Sequence, residues 1–313
     1  MEPSLHSLGH VALDTPDLDE SMNFFADAVG MEEVDRADGT VYLRAPDEFE
    51  HHSITLTEAD EAGVDHIGWQ TSDPESIEGF AEYLENEGID VSWVEAGEER
   101  GQGEAIRFET PTGHRFEFFY KIDTPKAPPE KRSKLRNKPY ADTVRNPIAP
   151  RRIDHIQIWD PDAHELAKWM KEHLGMRTQE SYDNADGSRW GTFLSAIGVK
   201  IEAAVIQHDE PDGVPSLNHI AYRVDSPNDL YAAADAMREL GYPNDGIGQH
   251  SISRGQFYYA RDPVSNHTIE FNAGAYQVFT PDWDPIRWKE DDLSDRQWIG
   301  AIRGGVNVPY SDR

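Results

Sequence analysis

The sequence predicts an α+β fold of four βαβββ modules, paired into two open-barrel domains. Three observations predict it. Four stretches each lead from a His through a short apolar segment to a proline and end at a glycine. The proline-to-glycine step is 14 residues in all four: Pro16 to Gly30, Pro74 to Gly88, Pro161 to Gly175 and Pro227 to Gly241. Such a recurrence marks an internal repeat. The third observation pairs the modules. His10 and His155 lie six residues before their prolines, whereas His66 and His219 lie eight before theirs. Module one thus matches three, and module two matches four.

Each element follows from local chemistry. After the first His, "VALD" reads as a strand, since apolar residues partly alternate. Thr15 before Pro16 reads as a helix start, because proline is tolerated where its nitrogen would have no partner. The amphipathic run that follows stops at Gly30, where a left-handed backbone is easy. "VYLRAP" and "HHSITLT" then read as strands. Module two repeats the plan with Asp73 as cap, then "VSWVEAG" and "AIRFETPTGHRFEFFY". Module three has Asp160 as cap, then "WGTFLSA" and "VKIEAAVIQ". Module four has Ser226 as cap, then "QFYYARDP" and "HTIEFN". These blocks place one domain at 1–122, a Pro-rich linker at 123–150 and a second domain at 151–275. The tail, 276–313, carries Trp283, Trp288 and Trp298 and is expected to pack on the second domain.

Composition narrows the function. With 59 acidic and 29 basic residues the formal net charge is −30. That argues against nucleic acid or an anionic membrane as partner, since phosphate binding needs a basic surface. Eight Trp, twelve Tyr and twelve Phe argue for a packed core over disorder. The acidity reads as a halophilic surface. Absence of cysteine excludes disulfides and thiolate ligands. No apolar run approaches bilayer length, and "MEPSLHSLGH" lacks the features of a secretory leader. A cytoplasmic protein is expected.

Two carboxylates set the functional question. Glu117 and Glu270 each lie in an apolar strand after a turn, and each follows a strand-leading His by 51 residues (His66 and His219). An ionised carboxylate in such a setting needs a cation or a metal. Each domain offers two His and one Glu: His10, His66 and Glu117 in the first, His155, His219 and Glu270 in the second. On one inner face, two imidazoles and a carboxylate match the facial triad that leaves positions open on non-haem Fe(II). A strand His is more often a hydrogen-bonded core residue. The repeat-related placement favours the metal.

These residues, together with "VYLRAPDEFEHHSITLTEADEAGVDHIGW" and "GIGQHSISRGQFYYARDPVSNHTIEF", resemble the type I extradiol ring-cleaving dioxygenases of the vicinal oxygen chelate superfamily. The resemblance is strongest to the catechol 2,3-dioxygenase (metapyrocatechase) and homoprotocatechuate 2,3-dioxygenase branch. It spans Gly9 to Arg296 and beyond. It implies chemistry in the second domain alone, with Fe(II), or Mn(II) in its stead, on His155, His219 and Glu270. A catechol-type ring would be opened by O₂ to a muconic semialdehyde. It implies that His250 and Tyr259 hydrogen-bond the reacting oxygens, with Tyr258 as competitor for the latter role. It leaves His10, His66 and Glu117 as a vestigial triad. Phe193 and Trp190 are candidate walls of an aromatic pocket. Arg296 matches one residue of the family's carboxylate clamp, while Asp245 stands where the other would be. Ile201 takes the place of the family's acid/base His, with His208 further along. Asn266 replaces a turn glycine and tolerates the left-handed conformation. The family is commonly oligomeric, so a homo-dimer or tetramer is expected. Two alternatives stay open. One is another metal-assisted reaction of the superfamily, such as hydroquinone cleavage, an isomerase or a lyase step. The other is a non-catalytic protein that binds an aromatic ligand.

Overall fold

The computed structural model describes residues 2–125, 129, 148, 150–208, 213–289, 292, 298–299 and 308–311. Two mixed sheets carry the chain. The first contains β1 (Leu5–Thr15), β2 (Glu32–Ala37), β3 (Thr40–Arg44), β4 (Ile54–Glu58), β5 (Gly63–Thr71), β6 (Val91–Val94), β7 (Ala105–Glu109) and β8 (Arg115–Phe119). Their spatial order is β2-β3-β4-β1-β5-β8-β7-β6. Each module closes by pairing its first strand in parallel with its last, β1 with β4 and β5 with β8. The antiparallel β1–β5 pair joins the two modules.

The second sheet repeats this order with β9 (Arg152–Asp160), β10 (Arg177–Asp183), β11 (Arg189–Ser195), β12 (Ala203–Gln207), β13 (Ser216–Arg223), β14 (Asn244–Gln249), β15 (Gly255–Arg261) and β16 (Thr268–Gly274). They run β10-β11-β12-β9-β13-β16-β15-β14. Three tail strands extend it. β17 (Ile286–Lys289) pairs with β10, β18 (Trp298–Ile299) with β14, and β19 (Val308–Pro309) with β13. Four βαβββ modules are thus present, as the sequence predicts.

The helices are α1 (Leu18–Met22), α2 (Glu75–Asn86), α3 (Ala163–Leu174) and α4 (Pro227–Leu240). Ser226 caps α4 in a full capping box with Pro227 next to it, and Gly241 ends it at φ 79°. Asp73 accepts the Ser76 N–H at 2.8 Å at the start of α2. The odd modules differ from expectation. Their caps are Asp17 and Asp162, each two residues after the expected Thr15 and Asp160. The expected residues are engaged elsewhere: the Thr15 hydroxyl pairs with Ser21 at 2.6 Å, and Asp160 accepts the Asp162 N–H at 2.6 Å. A free carboxylate two positions on caps at least as well. The helix of module one also continues as a π-helix over Asn23–Val29, a winding that apolar spacing does not distinguish from α.

One continuous apolar core runs through both domains. Polar bonds cross the same interface. Glu48 accepts the Ile153 N–H at 2.7 Å, Ser53 and Tyr222 hydroxyls meet at 2.6 Å, and Ser21 donates to Asp262 at 2.5 Å. The C-terminal segment stitches the seam. β19 lies on β13 of the second domain, while Ser311 N–H reaches Val64 of the first at 2.8 Å and the Tyr310 hydroxyl meets His114 at 2.9 Å.

Candidate metal centre

Strand register brings the predicted residues together. Ala221 on β13 pairs on one side with His155 of β9 and on the other with Glu270 of β16. Glu270 pairs in turn with Tyr259 of β15. Residues directly opposite across a ladder share a face, as do residues two apart on a strand. His219, two before Ala221, therefore joins them. The row's centre is an alanine, which leaves room for the flanking side chains.

The three donors converge. His219 Nε2 lies 2.9 Å and His155 Nε2 lies 3.4 Å from the same Glu270 oxygen, Oε2. Glu270 is 1% exposed and His219 3%. The other ring nitrogens are held from behind. His155 Nδ1 meets Asp154 Oδ2 at 3.0 Å, and His219 Nδ1 meets Asn218 Oδ1 at 2.9 Å. Each acceptor turns its ring so that Nε2 faces the carboxylate, as in metal sites where an outer partner fixes the imidazole. Among the described residues His219 Nε2 has no hydrogen-bond partner of acceptable geometry, although it is buried. An orphaned ring nitrogen beside a carboxylate is what a ligand set looks like. The donor set therefore fits a divalent metal of the Fe(II) or Mn(II) kind, with three protein ligands and open positions.

The charges agree with this geometry. Burial would push the Glu270 carboxyl up, yet His155 and His219 hold it well below the usual range. Burial opposes charge on His155 too, but hydrogen bonds to Asp154 and Glu270 lift it to about 9. Burial keeps His219 below its ordinary value. A divalent cation bound to these groups would displace any proton the imidazoles carry.

The triad opens onto a cavity of about 410 Å³ lined by Trp190, Phe193, Ile201, Ile206, His250 and Tyr259 among others. That volume is in the range of small-molecule sites. His250 stacks on Phe257 at 4.0 Å, and its Nε2 lies 3.3 Å from the Tyr259 hydroxyl. Burial pulls His250 down to about 4 and pushes the Tyr259 phenol well up, so both are neutral near pH 7. Strand alternation decides between the tyrosines: Tyr259 lines the cavity, while Tyr258 points into the core behind it. His208 packs against Trp159 at 5.6 Å and is not among the cavity's lining residues. Asp245 pairs with Arg261 at 3.5 Å. Asn266 holds φ 62°, the left-handed turn expected of it. Arg296 lies outside the described residues.

The site also contains residues that the sequence motifs do not name. Asp154 and Asn218 were legible as the residue just before each ligand His. Lys200, beside Ile201, also lines the cavity, with its ammonium on the Asp154 carbonyl and 3.5 Å from its carboxylate. In the first domain, His10 and His66 ring nitrogens meet at 2.9 Å, with Glu117 3.6 Å from each. The structure adds Glu99 and Arg107 to that group.

Residues 152–271 match the model of the Glyoxalase/Bleomycin resistance protein/Dioxygenase superfamily, and residues 64–122 match the catechol 2,3-dioxygenase-like N-terminal domain. The chain is 42% identical over 304 residues to the manganese-dependent 2,3-dihydroxybiphenyl 1,2-dioxygenase of Geobacillus genomosp. 3, covering 96% of this chain and 95% of that one. The chain belongs to the extradiol ring-cleaving dioxygenases. Other members of the family agree. Metapyrocatechase of Geobacillus stearothermophilus is 32% identical over 301 residues, with 94% and 89% coverage. The solved 2,3-dioxygenase LapB of Pseudomonas sp. KL28 superposes with a TM-score of 0.83 at 28% identity, covering 94% of this chain and 100% of that one. Homoprotocatechuate 2,3-dioxygenase of Brevibacterium fuscum gives 0.82 at 26% identity, with 93% and 87% coverage. This extradiol dioxygenase therefore shares the vicinal oxygen chelate fold along nearly its whole length. No described helix is long and apolar enough to cross a membrane.

Proposed function

We propose that this chain cleaves the ring of a catechol-type aromatic next to its vicinal hydroxyls, using O₂, at a metal held by His155, His219 and Glu270. The observation that carries the reading is the convergence of the two imidazole nitrogens on one buried oxygen of Glu270 at the floor of an aromatic cavity. Bound there, Fe(II) or Mn(II) would supply open coordination positions for the substrate's oxygens and for O₂. The residues of this chain do the rest. Asp154 and Asn218 orient the two imidazoles. His250, neutral at working pH, hydrogen-bonds the reacting oxygens through its ring nitrogen. Tyr259, held protonated, donates a hydrogen bond to a developing oxyanion. Phe193 and Trp190 stack on the ring and exclude water. Lys200 brings a positive charge to the wall where Ile201 can carry no proton.

The manganese-dependent relative makes Mn(II) a serious partner beside Fe(II), and an aryl-substituted catechol a serious substrate beside catechol itself. The cavity's aromatic wall suits both rings. The acidic surface supports a cytoplasmic protein that works in high salt, and the family habit supports a homo-dimer or tetramer.

The test is anaerobic reconstitution with Fe(II) or Mn(II) in high salt. Catechol and 2,3-dihydroxybiphenyl are then added with O₂, and the visible absorbance is followed. A yellow semialdehyde that forms only with metal is the expected result. Metal bound in the second domain without turnover of either diol would refute the assignment.

A further inference from the structure

The first domain repeats the register of the metal centre. Gly68 on β5 pairs with His10 of β1 and with Glu117 of β8, and Glu117 pairs with Arg107 of β7. His66 lies two before Gly68. These are the places of Ala221, His155, Glu270, Tyr259 and His219. The central residue is now glycine, because a Cβ there would meet the His10 ring at 2.2 Å. A second carboxylate, Glu99, enters from the loop before β7, on the side where His250 stands in the other domain. All four donor residues are buried, with His10 and Glu117 at 0%, His66 at 2% and Glu99 at 8% exposure.

The spacing of the donors is informative. His10 Nε2 lies 2.9 Å from His66 Nε2, 3.3 Å from Glu99 Oε1 and 3.6 Å from Glu117 Oε1. His66 Nε2 lies 3.4 Å from Glu99 Oε2 and 3.6 Å from Glu117 Oε2. The four imidazole–carboxylate distances are longer than a good hydrogen bond. One ligand atom from each of the four residues lies within 4.8 Å of the others, close enough for all four to share one ion. An outer layer holds His66, Glu99 and Glu117, while His10 Nδ1 is buried without a hydrogen-bond partner among the described residues. Asp65 takes His66 Nδ1 at 2.8 Å, His52 meets Glu99 at 2.7 Å, and Gln102 donates to Glu117 at 2.6 Å. Arg107 donates to Glu117 at 2.6 Å and to Glu99 at 2.9 Å. Such backing is characteristic of metal sites.

We infer that the first domain holds its own divalent metal ion, of the zinc class, on His10, His66, Glu99 and Glu117. Four protein ligands close the site, so its role is structural, in contrast to the three-ligand centre that keeps positions open for chemistry. The fourth ligand sets the two halves of the duplicated chain to different tasks.

The test uses the full-length chain with His219→Ala, which removes a ligand of the second-domain centre, expressed with zinc present. The expected content is about one zinc per chain, falling to near zero when Glu99→Gln is added. Chelation of the His219→Ala chain should lower its melting temperature and Zn(II) should restore it, a readout that needs no second variant to fold. Co(II) in place of zinc should give the intense visible bands of a tetrahedral ion. A folded His219→Ala chain without metal would overturn the inference. So would retention of its metal by the Glu99→Gln form. The first result would mean that Arg107 and protonated histidine alone neutralise the two carboxylates, the second that Glu99 is not a ligand.

Discussion

Asp154→Ala should loosen the catalytic metal without touching any of its ligands. Asp154 is 5% exposed, and its Oδ2 takes the His155 Nδ1 proton at 3.0 Å. The carboxylate is ionised in the fold. Burial would raise it, but Lys200 and His155 hold it well below the usual range. Removing it frees the imidazole to rotate and lowers its basicity. Losses of this kind run to about 10–100-fold in metal affinity, or about 1.4–2.7 kcal/mol. Alanine belongs at the upper end, because Lys200 also loses its carboxylate partner, leaving a side chain only 11% exposed with its bond to the Asp154 carbonyl. Asp154→Asn belongs at the lower end, since an amide oxygen already serves His219 from Asn218 at 2.9 Å. The assay is competition for Mn(II) against a chelator of known affinity, with a melting curve to show that each variant is folded. The expected order of affinity is wild type, Asn, Ala. A folded Ala variant that binds within about twofold of wild type would refute the reasoning that Asp154 orients His155.

Other perturbations test other parts. Tyr259→Phe should keep the metal but lower kcat by about tenfold to a hundredfold, measured by semialdehyde formation, because it removes a positioned donor from the cavity. Ser21→Ala should destabilise the chain by about 1.5–3 kcal/mol in urea titrations, because Ser21 donates to the buried Asp262 carboxylate across the domain seam. Glu48 gives a pH signature. Burial raises its carboxyl from the ordinary 4.5 to about 7 despite three donors, so between those values the folded chain keeps a proton that the unfolded chain releases. Stability should therefore fall as pH rises from 4.5 to 7, by an amount on the order of 3 kcal/mol from this group. Glu48→Gln should flatten that slope, and an unchanged slope would refute the attribution.

Much of this architecture could be read from residue spacing. The proline-to-glycine repeat located all four helices, and equal His-to-Glu steps picked out Glu117 and Glu270 because strand register is fixed by the duplicated plan. What escaped depends on long-range contacts. Glu99 lies in a loop between Gly97 and Gly101, whose φ values of 85° and 76° steer its carboxylate inward, and no periodicity marks such a path. Arg107 reads as an ordinary exposed charge on an alternating strand until β8 is laid beside it. The odd-module caps slipped because Thr15 and Asp160 look like good caps locally, and only the folded contacts of their side chains reveal them as occupied. Strands β2, β10 and β14 carry too few apolar residues to stand out. They form because β3, β11 and β15 offer them an edge.

The stitched seam also bears on how the protein is made. Ser311 contacts Val64 across 247 intervening steps of sequence, and Tyr310 contacts His114 across 196. During synthesis the first domain must stand for more than half of the elongation time with that edge open to solvent. At ~5–20 residues per second this is an interval of tens of seconds or less. A closed metal site inside that domain would let it hold its shape while it waits, before the second domain or the final strand exists to lean on.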